Sequence, residues 1–378
     1  MFSVNYLDVQ KTFKSIRDKI KNEITEEMEI AHLYKLSNII RIMYWIGIFG
    51  MPIHNIFINI IAVISFSIAI TMNWTIMAHH TLHRGFVHIK DSKFHSKKFA
   101  RGFYRLLHFP DWLHPPSWSD EHNRAHHYMT NELGDPDLVE NKIRNLQFLP
   151  KFIKYILLLL YILTWKFTYY SHNIIRIKIN SKKYKDNINE ISLTKYLLTW
   201  LSNLSYILFQ GYFVYLFYLI VIIPTPFYIF GYDTFIRVMI NVCIAEILSN
   251  IHSFIIIAPN HCGSDIYRFK TGVEANSGEF YFRQILCSVN YNTGNFIYDF
   301  LYGYLNYQIE HHIFPNESPL VYTKLQPEIK KACEELKIRY VQENVFIRLY
   351  KLSKIWVGDE KMLVWDDKFN EYDNTVEK

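Results

Sequence analysis

The sequence predicts an all-α, multi-pass membrane protein with about four transmembrane helices and a cytoplasmic helical cap that holds a histidine-rich site. Half of the 378 residues are hydrophobic, and they gather into long runs instead of spreading evenly. The segments between the runs are rich in Lys, His and Asp, a layout typical of a membrane protein with a sizeable polar part. Eight of the 17 histidines fall in three short clusters, the first at the end of an apolar run.

The apolar runs define the predicted crossings. A helix that crosses a bilayer needs about 20 mainly apolar residues. The first run, 39–78, is too long for one helix and is interrupted at Gly50 and Pro52, which predicts a hairpin of two helices. A further run, 148–170, is expected to lie in the membrane interface. The predicted crossings are 36–51, 56–77, 196–223 and 235–258.

The order of runs and clusters explains why 148–170 is not counted as a crossing. The second histidine cluster precedes the three later runs and the third cluster follows them. If the clusters meet at one site, only an even number of those runs can cross. Lys and Arg residues between 176 and 185 favour a cytoplasmic position for the segment that follows 148–170. That run is therefore predicted not to cross, and both termini and all the histidines are predicted to be cytoplasmic.

Three parts are predicted along the chain: a cytoplasmic N-terminal segment (1–35), a membrane domain with the clusters (36–319) and soluble cytoplasmic C-terminal helices (320–378). The stretch 6–36 is charged and helix-like, which argues against a cleavable signal peptide. The net charge of +6 comes mainly from Lys and Arg beside apolar runs. We therefore expect contact with a membrane surface and not with nucleic acid. Four cysteines without a Cys-x-x-Cys pair predict reduced thiols.

The three histidine clusters carry the predicted chemistry. Residues four apart share one face of a helix, so the first two clusters can each present two imidazoles to one metal ion. The third cluster places two imidazoles and an amide within one helical turn. The clusters comprise His79, His80 and His83; His122, His126 and His127; and Gln308, His311 and His312.

The number of imidazoles predicts more than one metal ion. Imidazole binds Fe, Zn, Cu and Ni, and a zinc ion usually takes only four ligands. Seven or eight imidazoles therefore favour two metal ions. The sequence contains neither a His-Glu-x-x-His motif nor Cys-rich zinc spacing, which argues against a metalloprotease and a zinc finger.

The order His-x-x-x-His, His-x-x-x-His-His and Gln-x-x-His-His, with membrane helices between the second and third clusters, resembles the membrane fatty acid desaturase family. The segment Tyr-Gln-Ile-Glu-His-His-Ile-Phe-Pro at 307–315 resembles the third histidine box of front-end acyl and sphingolipid desaturases. The resemblance extends over roughly 39–343. It implies two iron ions, dioxygen as co-substrate, and removal of hydrogens from methylenes of a lipid acyl chain to leave a double bond.

The resemblance also implies roles for particular residues. Gln308 stands where some relatives have a histidine, and His80 where many have Asp. Relatives take a further ligand, directly or through water, from just after the last membrane helix, where Asn260 and His261 lie. We expect His80, Asn260 and Gln308 to support the ligands. The implied iron ligands are His79, His83, His122, His126, His127, His311 and His312, with His261 as the eighth.

Other polar and aromatic residues leave alternatives open. Metal-bound imidazoles usually donate their other nitrogen to a carboxylate or carbonyl. The aromatic segment 109–118 is a candidate to line an acyl tunnel, although amphipathic aromatics are common at a membrane interface without that role. His252 is expected to be a satisfied core histidine. The candidate carboxylates are Asp120, Glu121, Asp135, Asp137, Asp265, Asp299 and Glu310, and the histidines expected at the surface or interface are His88, His95, His108, His114 and His172.

The predicted partners are a lipid acyl substrate, the bilayer and a separate electron donor, a cytochrome or a ferredoxin. The separate donor is expected because the sequence has no His-Pro-Gly-Gly haem motif. The predicted location is the endoplasmic reticulum membrane of a eukaryote or the cytoplasmic membrane of a bacterium. A lipid hydroxylase on the same site is the main alternative function. A membrane metal transporter is less favoured, because the predicted spans hold few ionisable groups.

Overall fold

The computed structural model describes residues 2–89, 93–102, 104–171, 193–202, 204–365 and 371–372. These residues are predominantly helical, as predicted. In chain order the helices are α1 (Tyr6–Glu23), α2 (Glu26–Gly50), α3 (Ile56–Leu82), α4 (Tyr104–His108), α5 (Pro115–Trp118), α6 (Val139–Ile143), α7 (Lys151–Leu163), α8 (Leu193–Ser202), α9 (Leu204–Ile207), α10 (Leu208–Phe230), α11 (Tyr232–His261), α12 (Gly278–Leu286), α13 (Phe296–Leu301), α14 (Gln308–Ile313), α15 (Pro319–Glu335) and α16 (Val345–Val357).

Short irregular turns and two-residue strands complete the described residues. The strand β1 (Phe2–Ser3) pairs antiparallel with β4 (Glu371–Tyr372), and β2 (Tyr267–Arg268) pairs parallel with β3 (Leu363–Val364). Separate 3-10 turns cover Arg144–Leu146 and Leu305–Tyr307. The π-helical turns are Asn73–Ala78 within α3, Ser119–His126 after α5, Lys166–Tyr170 after α7, and Leu208–Phe213 and Tyr218–Ile222 within α10.

Three described helices, α3, α10 and α11, are long and apolar enough to cross a membrane. They correspond to three of the four predicted crossings. The second of them ends later than predicted, at Phe230 instead of 223. The chain continues past Pro224 as a 3-10 turn, Thr225–Phe230. Proline is tolerated in the first turn of a helix, because no backbone donor is needed there.

The fourth predicted crossing, 36–51, is the second half of α2. The first turn of this helix carries Glu26, Glu27 and Glu29. Helix α2 is not one of the three described helices that are long and apolar enough to cross a membrane. It nevertheless forms the predicted hairpin with α3. A Cβ atom on Gly47 would lie 2.5 Å from Phe66 Cβ, so glycine permits the close approach of the two helices.

The run 148–170 forms a helix that is too short to cross. Helix α7 has 13 residues, about 20 Å at the usual rise, whereas the hydrocarbon core is about 30 Å thick. Its outer face is nevertheless apolar, since Phe152 is 64% exposed and Leu159 is 55% exposed. This geometry agrees with the predicted position in the membrane interface.

One hydrophobic core joins the three predicted parts of the chain. It contains Phe13 of α1, Trp74 of α3, Leu325 of α15 and Trp356 of α16. Helix α2 also runs without a break across the predicted boundary at 35/36. The C-terminal helix α15 packs on α14, α16 packs on the end of α11, and α1 packs on α12 and α15.

Candidate metal centre

The first histidine cluster lies at the C-terminal end of α3. The ring centroids of His79 and His83 are 4.7 Å apart, as their four-residue spacing predicts. His80 points elsewhere, and its Nδ1 lies 2.9 Å from the carbonyl oxygen of Ile76. The π-helical turn before His79 widens the helix just where the cluster begins.

The second cluster is carried by the π-helical turn Ser119–His126 instead of by a regular α-helix. A π-turn pairs residues five apart, and His127 N donates to His122 O at 3.1 Å. The side chains follow the same pairing, with His127 Nε2 3.2 Å from His122 Nε2. The predicted four-residue pairing of His122 with His126 gives parallel rings whose centroids are 5.0 Å apart. The wider turn thus aims three imidazoles into one space.

The third cluster and His261 complete the site from the other end of the fold. Helix α14 carries His311 and His312, and Asn290 Oδ1 accepts from the backbone N of Ile309 at 2.9 Å to fix its start. His261 ends the 3-10 turn that terminates α11. Its ring centroid is 4.3 Å from that of His312 and 4.9 Å from that of His126. All the predicted ligands therefore converge.

The converging side chains form two groups. Within each group, the potential ligand atoms all lie within 4.8 Å of one another. The first group is His79, His83, His122 and His311; the second is His126, His261 and His312. His127 lies between the groups. Its ring stacks on His312 with centroids 4.3 Å apart, and the His83 ring is 4.5 Å away.

Protein partners fix the orientation of four of these rings through Nδ1. His126 donates to Asp135 Oδ1 at 2.9 Å and His261 to the carbonyl oxygen of Cys287 at 2.9 Å. His312 donates to Gln284 Oε1 at 2.9 Å. The hydroxyl of Tyr322 donates to Phe314 O, so it accepts from His311 at 3.1 Å. Each bond leaves Nε2 to face the interior, the arrangement usual for metal-bound histidine.

Of the seven candidate carboxylates, only Asp135 and Asp137 approach a histidine of the two groups within ion-pair distance in the described residues. Asp137 Oδ2 is 3.6 Å from His126 Nδ1, and Asp137 forms a third compact group with His122 and His126. Asp135 and Asp137 therefore place negative charge beside His126. Glu121 lines the cavity described below. The remaining candidates have partners outside the two groups: Glu310 binds Asn290 and Tyr340, and Asp265 binds Arg348 and Lys351. Asp299 binds Asn306 and Tyr307, and Asp120 pairs with Arg124.

The electrostatics keep most of these imidazoles neutral. Burial, and next the neighbouring imidazoles, hold the pKa values of His122, His127, His311 and His312 well below the usual range. The neutral ring is the form that binds a metal ion. Burial alone would also lower the pKa of His126, but Asp135 and Asp137 outweigh it and raise that pKa. His126 thus lies at the most negative point of the cluster.

The unpaired nitrogens of the cluster fit a metal ion. Buried polar atoms are normally hydrogen-bonded, yet five nitrogens of the predicted ligands have no hydrogen-bond partner among the described residues. They are His79 Nδ1, His83 Nε2, His127 Nδ1, His311 Nε2 and His312 Nε2. His80 Nε2 is also unpaired in this part of the chain, but His80 belongs to neither group. Nitrogen donors facing one space suit Fe, Zn, Cu or Ni.

Gln308 and Asn260 lie beside the second group, as expected. Gln308 Nε2 is 2.8 Å from His261 Nε2, and Asn260 Nδ2 donates to Gln308 Oε1 at 3.0 Å. The amide therefore occupies the space next to the nitrogen that His261 would offer to a metal. The second group has three imidazoles, and the Gln308 side chain lies beside it.

A cavity of about 950 Å³, including its open mouth, reaches the histidines. Four of the predicted ligands, His79, His122, His126 and His261, form part of its wall. Its mainly apolar lining suits an apolar ligand. The aromatic lining residues include Trp74, Trp118, Tyr161, Trp165, Phe254 and Trp356.

The chain is similar in sequence to known enzymes. The pattern of the family described as fatty acid desaturase matches residues 57–344, more than half of the chain. This chain belongs to the fatty acid desaturase family. The match confirms the family predicted from the histidine clusters.

Individual relatives of this desaturase-family protein are distant. The probable Delta(5) fatty acid desaturase C of Dictyostelium discoideum is 21% identical over 364 residues, 92% of this chain and 75% of that protein. The sn-1 linoleoyl-lipid 6-desaturase of Arthrospira platensis is 30% identical over 74 residues, 20% of each chain. The acyl-lipid (8-3)-desaturase of Physcomitrium patens is 25% identical over 141 residues, 37% of this chain and 28% of that protein. The last two matches thus span less than a third of the relative.

The structure corrects some predictions about the remaining aromatic and histidine residues. Of the segment 109–118, only Trp118 lines the cavity in the described residues; Trp112 Nε1 donates to Glu246 Oε1 at 3.0 Å instead. His114 is not a surface residue but is buried, 2.8 Å from Ser117 Oγ. His252 is satisfied by Leu301 O at 2.8 Å, as expected. His172 lies outside the described residues.

Some supporting residues carried no signal in the sequence. Gln284 of α12 and Tyr322 of α15 hold His312 and His311, but both belong to segments without a histidine cluster. Only the packing of α12 and α15 around α14 brings them to the site. The order of the histidine boxes in the family predicts the ligands. The partners Gln284 and Tyr322 can be recognised only once the helices are packed together.

Proposed function

We propose that this desaturase-family protein introduces a double bond into the acyl chain of a lipid, using two iron ions and dioxygen. The observation that carries the proposal is that members of both imidazole groups form one wall of a cavity lined mainly by aromatic and other apolar side chains. The family match supports the reaction class. The same arrangement is not expected of a transporter, whose polar groups would line a path across the membrane.

Each group would hold one iron ion. His79, His83, His122 and His311 would bind the first, with His127 beside them because its Nε2 faces His122. His126, His261 and His312 would bind the second, with Gln308 or Asp137 next to the remaining position. The irons, when bound, would supply the oxidising power that removes hydrogens from an unactivated methylene.

The chain's own residues hold the acyl chain and exclude water. Trp118, whose ring stacks on His122 with centroids 4.3 Å apart, lines the cavity beside that predicted ligand. Trp74, Trp165 and Phe254 provide an apolar surface along which methylenes can lie. Asp135 fixes the orientation of His126 and adds negative charge to a site whose ligands are mostly neutral. Neighbouring methylenes are thereby held at the histidine wall.

The relatives support a lipid acyl substrate. Their printed names describe enzymes that act on fatty acids or acyl lipids as Delta(5), 6- or (8-3)-desaturases. The cavity beside the histidines is lined mainly by apolar side chains. We therefore infer an acyl chain carried on a lipid, with a separate cytochrome or ferredoxin as electron donor.

We further propose four crossings, with α2 added to the three described spans. Its outer face supports this, because Ile42 is 60% exposed and Phe49 is 64% exposed. The histidine clusters then share one side, the cytoplasmic side by the positive-inside rule. The basic run 176–185 on which that orientation rests lies outside the described residues. The membrane would be the endoplasmic reticulum of a eukaryote or the cytoplasmic membrane of a bacterium.

Expression in a host with defined lipids tests the reaction. Fatty-acid profiling with location of double bonds should show a new unsaturated species that requires the intact histidines. The matched control is His95→Ala, which alters a histidine outside both groups. A hydroxylated product instead would identify the hydroxylase alternative, and an unchanged profile with a well-folded, iron-loaded protein would contradict the proposal.

A further inference from the structure

Two short helices outside the candidate spans expose apolar side chains. Soluble proteins scatter such residues singly, and clusters of them mark an interaction site. We call these two clusters the outer faces of α13 and α16. They consist of Phe296 (38% exposed), Ile297 (64%) and Tyr298 (53%) on α13, and Phe346 (66%), Ile347 (47%) and Tyr350 (59%) on α16.

The opposite sides of both helices are held firmly in the fold. Arg348 of α16 is fully buried, donates to Cys262 O at 2.9 Å and pairs with Asp265. Asp299 of α13 accepts from Asn306 Nδ2 at 2.6 Å and from the Tyr307 hydroxyl at 2.9 Å. These contacts fix which side of each helix points outward, so the outer faces are permanent features of the surface.

Both helices lie beside the histidine-bearing ends of the spanning helices. Leu301 O of α13 is 2.8 Å from His252 Nε2 of α11. At the other helix, the ring of Trp356 stacks on Tyr161 of α7 with centroids 5.4 Å apart, and Tyr161 contacts Phe254 of α11. Helix α13 is therefore packed on α11, and α16 on α7, beside helices that carry exposed apolar residues of their own, such as Leu159 of α7 and Ile247 of α11.

A lysine lies over an exposed aromatic ring at each outer face. Lys35 Nζ is 3.9 Å from the ring centroid of Phe296, and Lys354 Nζ is 5.3 Å from that of Tyr350. Aromatic rings with neighbouring lysines, whose stems cover apolar surface while the charge stays in water, are typical of the lipid headgroup level. The same pairing on two separate helices indicates a common environment.

We propose that the outer faces of α13 and α16 contact the lipids of the bilayer on the histidine-bearing side. The C-terminal residues, which the sequence predicts to be soluble, are then part of the membrane-bound body. The inner side of α16 carries Leu352 and Trp356, which line the cavity. One helix thus separates the cavity from the lipid, so an acyl chain that enters beside α16 leaves the bilayer without crossing water.

Spin labels at single cysteines test this surface directly. The full chain with Cys243→Ala, which removes the exposed native thiol while the three other described cysteines are buried, is the parent. Ile297→Cys and Ile347→Cys place labels on the outer faces, and Phe346→Cys is a second position on α16. Lys331→Cys on α15, whose side chain is 72% exposed, is the control. The proteins are reconstituted in vesicles of phosphatidylcholine and phosphatidylglycerol.

Collision rates with oxygen and with a water-soluble nickel chelate then report the environment of each label. We expect oxygen collisions to dominate at 297, 346 and 347, and nickel collisions to dominate at 331. Nickel access at 297 equal to that at 331 overturns the proposal for α13, and nickel access at both 346 and 347 overturns it for α16. This readout needs no turnover, so its failure is distinguishable from failure of the proposed reaction.

Discussion

This protein contains two buried polar clusters, and they differ in whether their polar atoms find partners within the chain. In the first, Lys166 Nζ is 3.1 Å from Glu246 Oε2 and 3.5 Å from Asp111 Oδ2. Glu246 also accepts from Tyr215 at 2.6 Å and from Trp112 at 3.0 Å. The histidine cluster is also largely buried, but five nitrogens of its predicted ligands have no hydrogen-bond partner within the described residues.

The difference separates a structural cluster from a binding site. Burying a charge is costly unless it is paired, and the first cluster supplies the partners from its own chain. Burial alone would lower the pKa of Lys166, but Asp111 and Glu246 raise it, so the ammonium stays charged. The histidine cluster is compensated only in part, by Asp135 and Asp137 at His126. Its nitrogens without a partner in the described residues support the proposed metal site.

Replacing a predicted ligand of the histidine cluster should have the largest effect. We expect His312→Ala to lower double-bond formation below detection and to reduce bound iron, because it removes one of three imidazoles from the second group. Product analysis and metal analysis of the same purified sample measure both effects. His95→Ala should retain both. Full activity in an iron-loaded His312→Ala protein would exclude His312 as a ligand.

Removing the ammonium group of Lys166 from the first cluster should lower the free energy of unfolding. It should not change which metal ion the protein binds. Lys166→Met leaves Asp111 and Glu246 buried without their ammonium. Breaking such a buried pair typically costs about 3–5 kcal/mol, which thermal unfolding in detergent can measure. The double variant Lys166→Met/Glu246→Gln should recover part of the loss, because one of the stranded charges is removed. No recovery would show that the loss is not electrostatic.

A supporting residue of the histidine cluster should have an intermediate effect. Asp135→Asn keeps the shape of the side chain but removes the charge that accepts from His126. Loss of such a partner typically costs about 10–100-fold in metal affinity or activity, and iron titration of the apoprotein measures it. Asp120→Asn, on an exposed side chain, is the matched control and should bind iron normally. Equal affinities for the two variants would contradict the role of Asp135.

Replacing His88, which forms a partly exposed pair with Glu29, should have the smallest effect on stability. His88 Nε2 is 2.6 Å from Glu29 Oε2, and the hydrogen bond to Glu29 raises the pKa of His88. Burial alone would raise the pKa of Glu29, but His88 lowers it below 4.5. The histidine's contribution is lost as pH rises through its raised pKa, and the carboxylate's as pH falls through its lowered pKa. The pair is therefore fully formed between about pH 4.5 and 6.5.

Replacing this histidine tests that window. His88→Gln should lower stability by only a few tenths of a kcal/mol near pH 6, because the histidine side chain is 41% exposed and solvent screens the pair. Melting temperatures of both proteins at pH 6 and pH 9 measure the difference. It should shrink at pH 9. A difference that grows with pH would contradict the ion pair.

The sequence predicted which histidines meet better than it predicted the residues around them. His79 and His83 follow a periodicity that any α-helix preserves, so their meeting was predictable. The pairing of His122 with His127 was not, since it depends on a π-helical turn that the residue types do not specify. The buried partners Lys166 and Glu246 are 80 positions apart. Such contacts are set by how helices pack, which no local pattern records.

The most direct test of the account is the metal content of the purified full-length chain. Growth on iron enriched in the Mössbauer-active isotope gives both the amount and the environment of the metal. We predict two iron ions per chain with distinct, nitrogen-rich environments, one from each histidine group. A single metal ion per chain, or zinc in place of iron in an active preparation, would contradict the account.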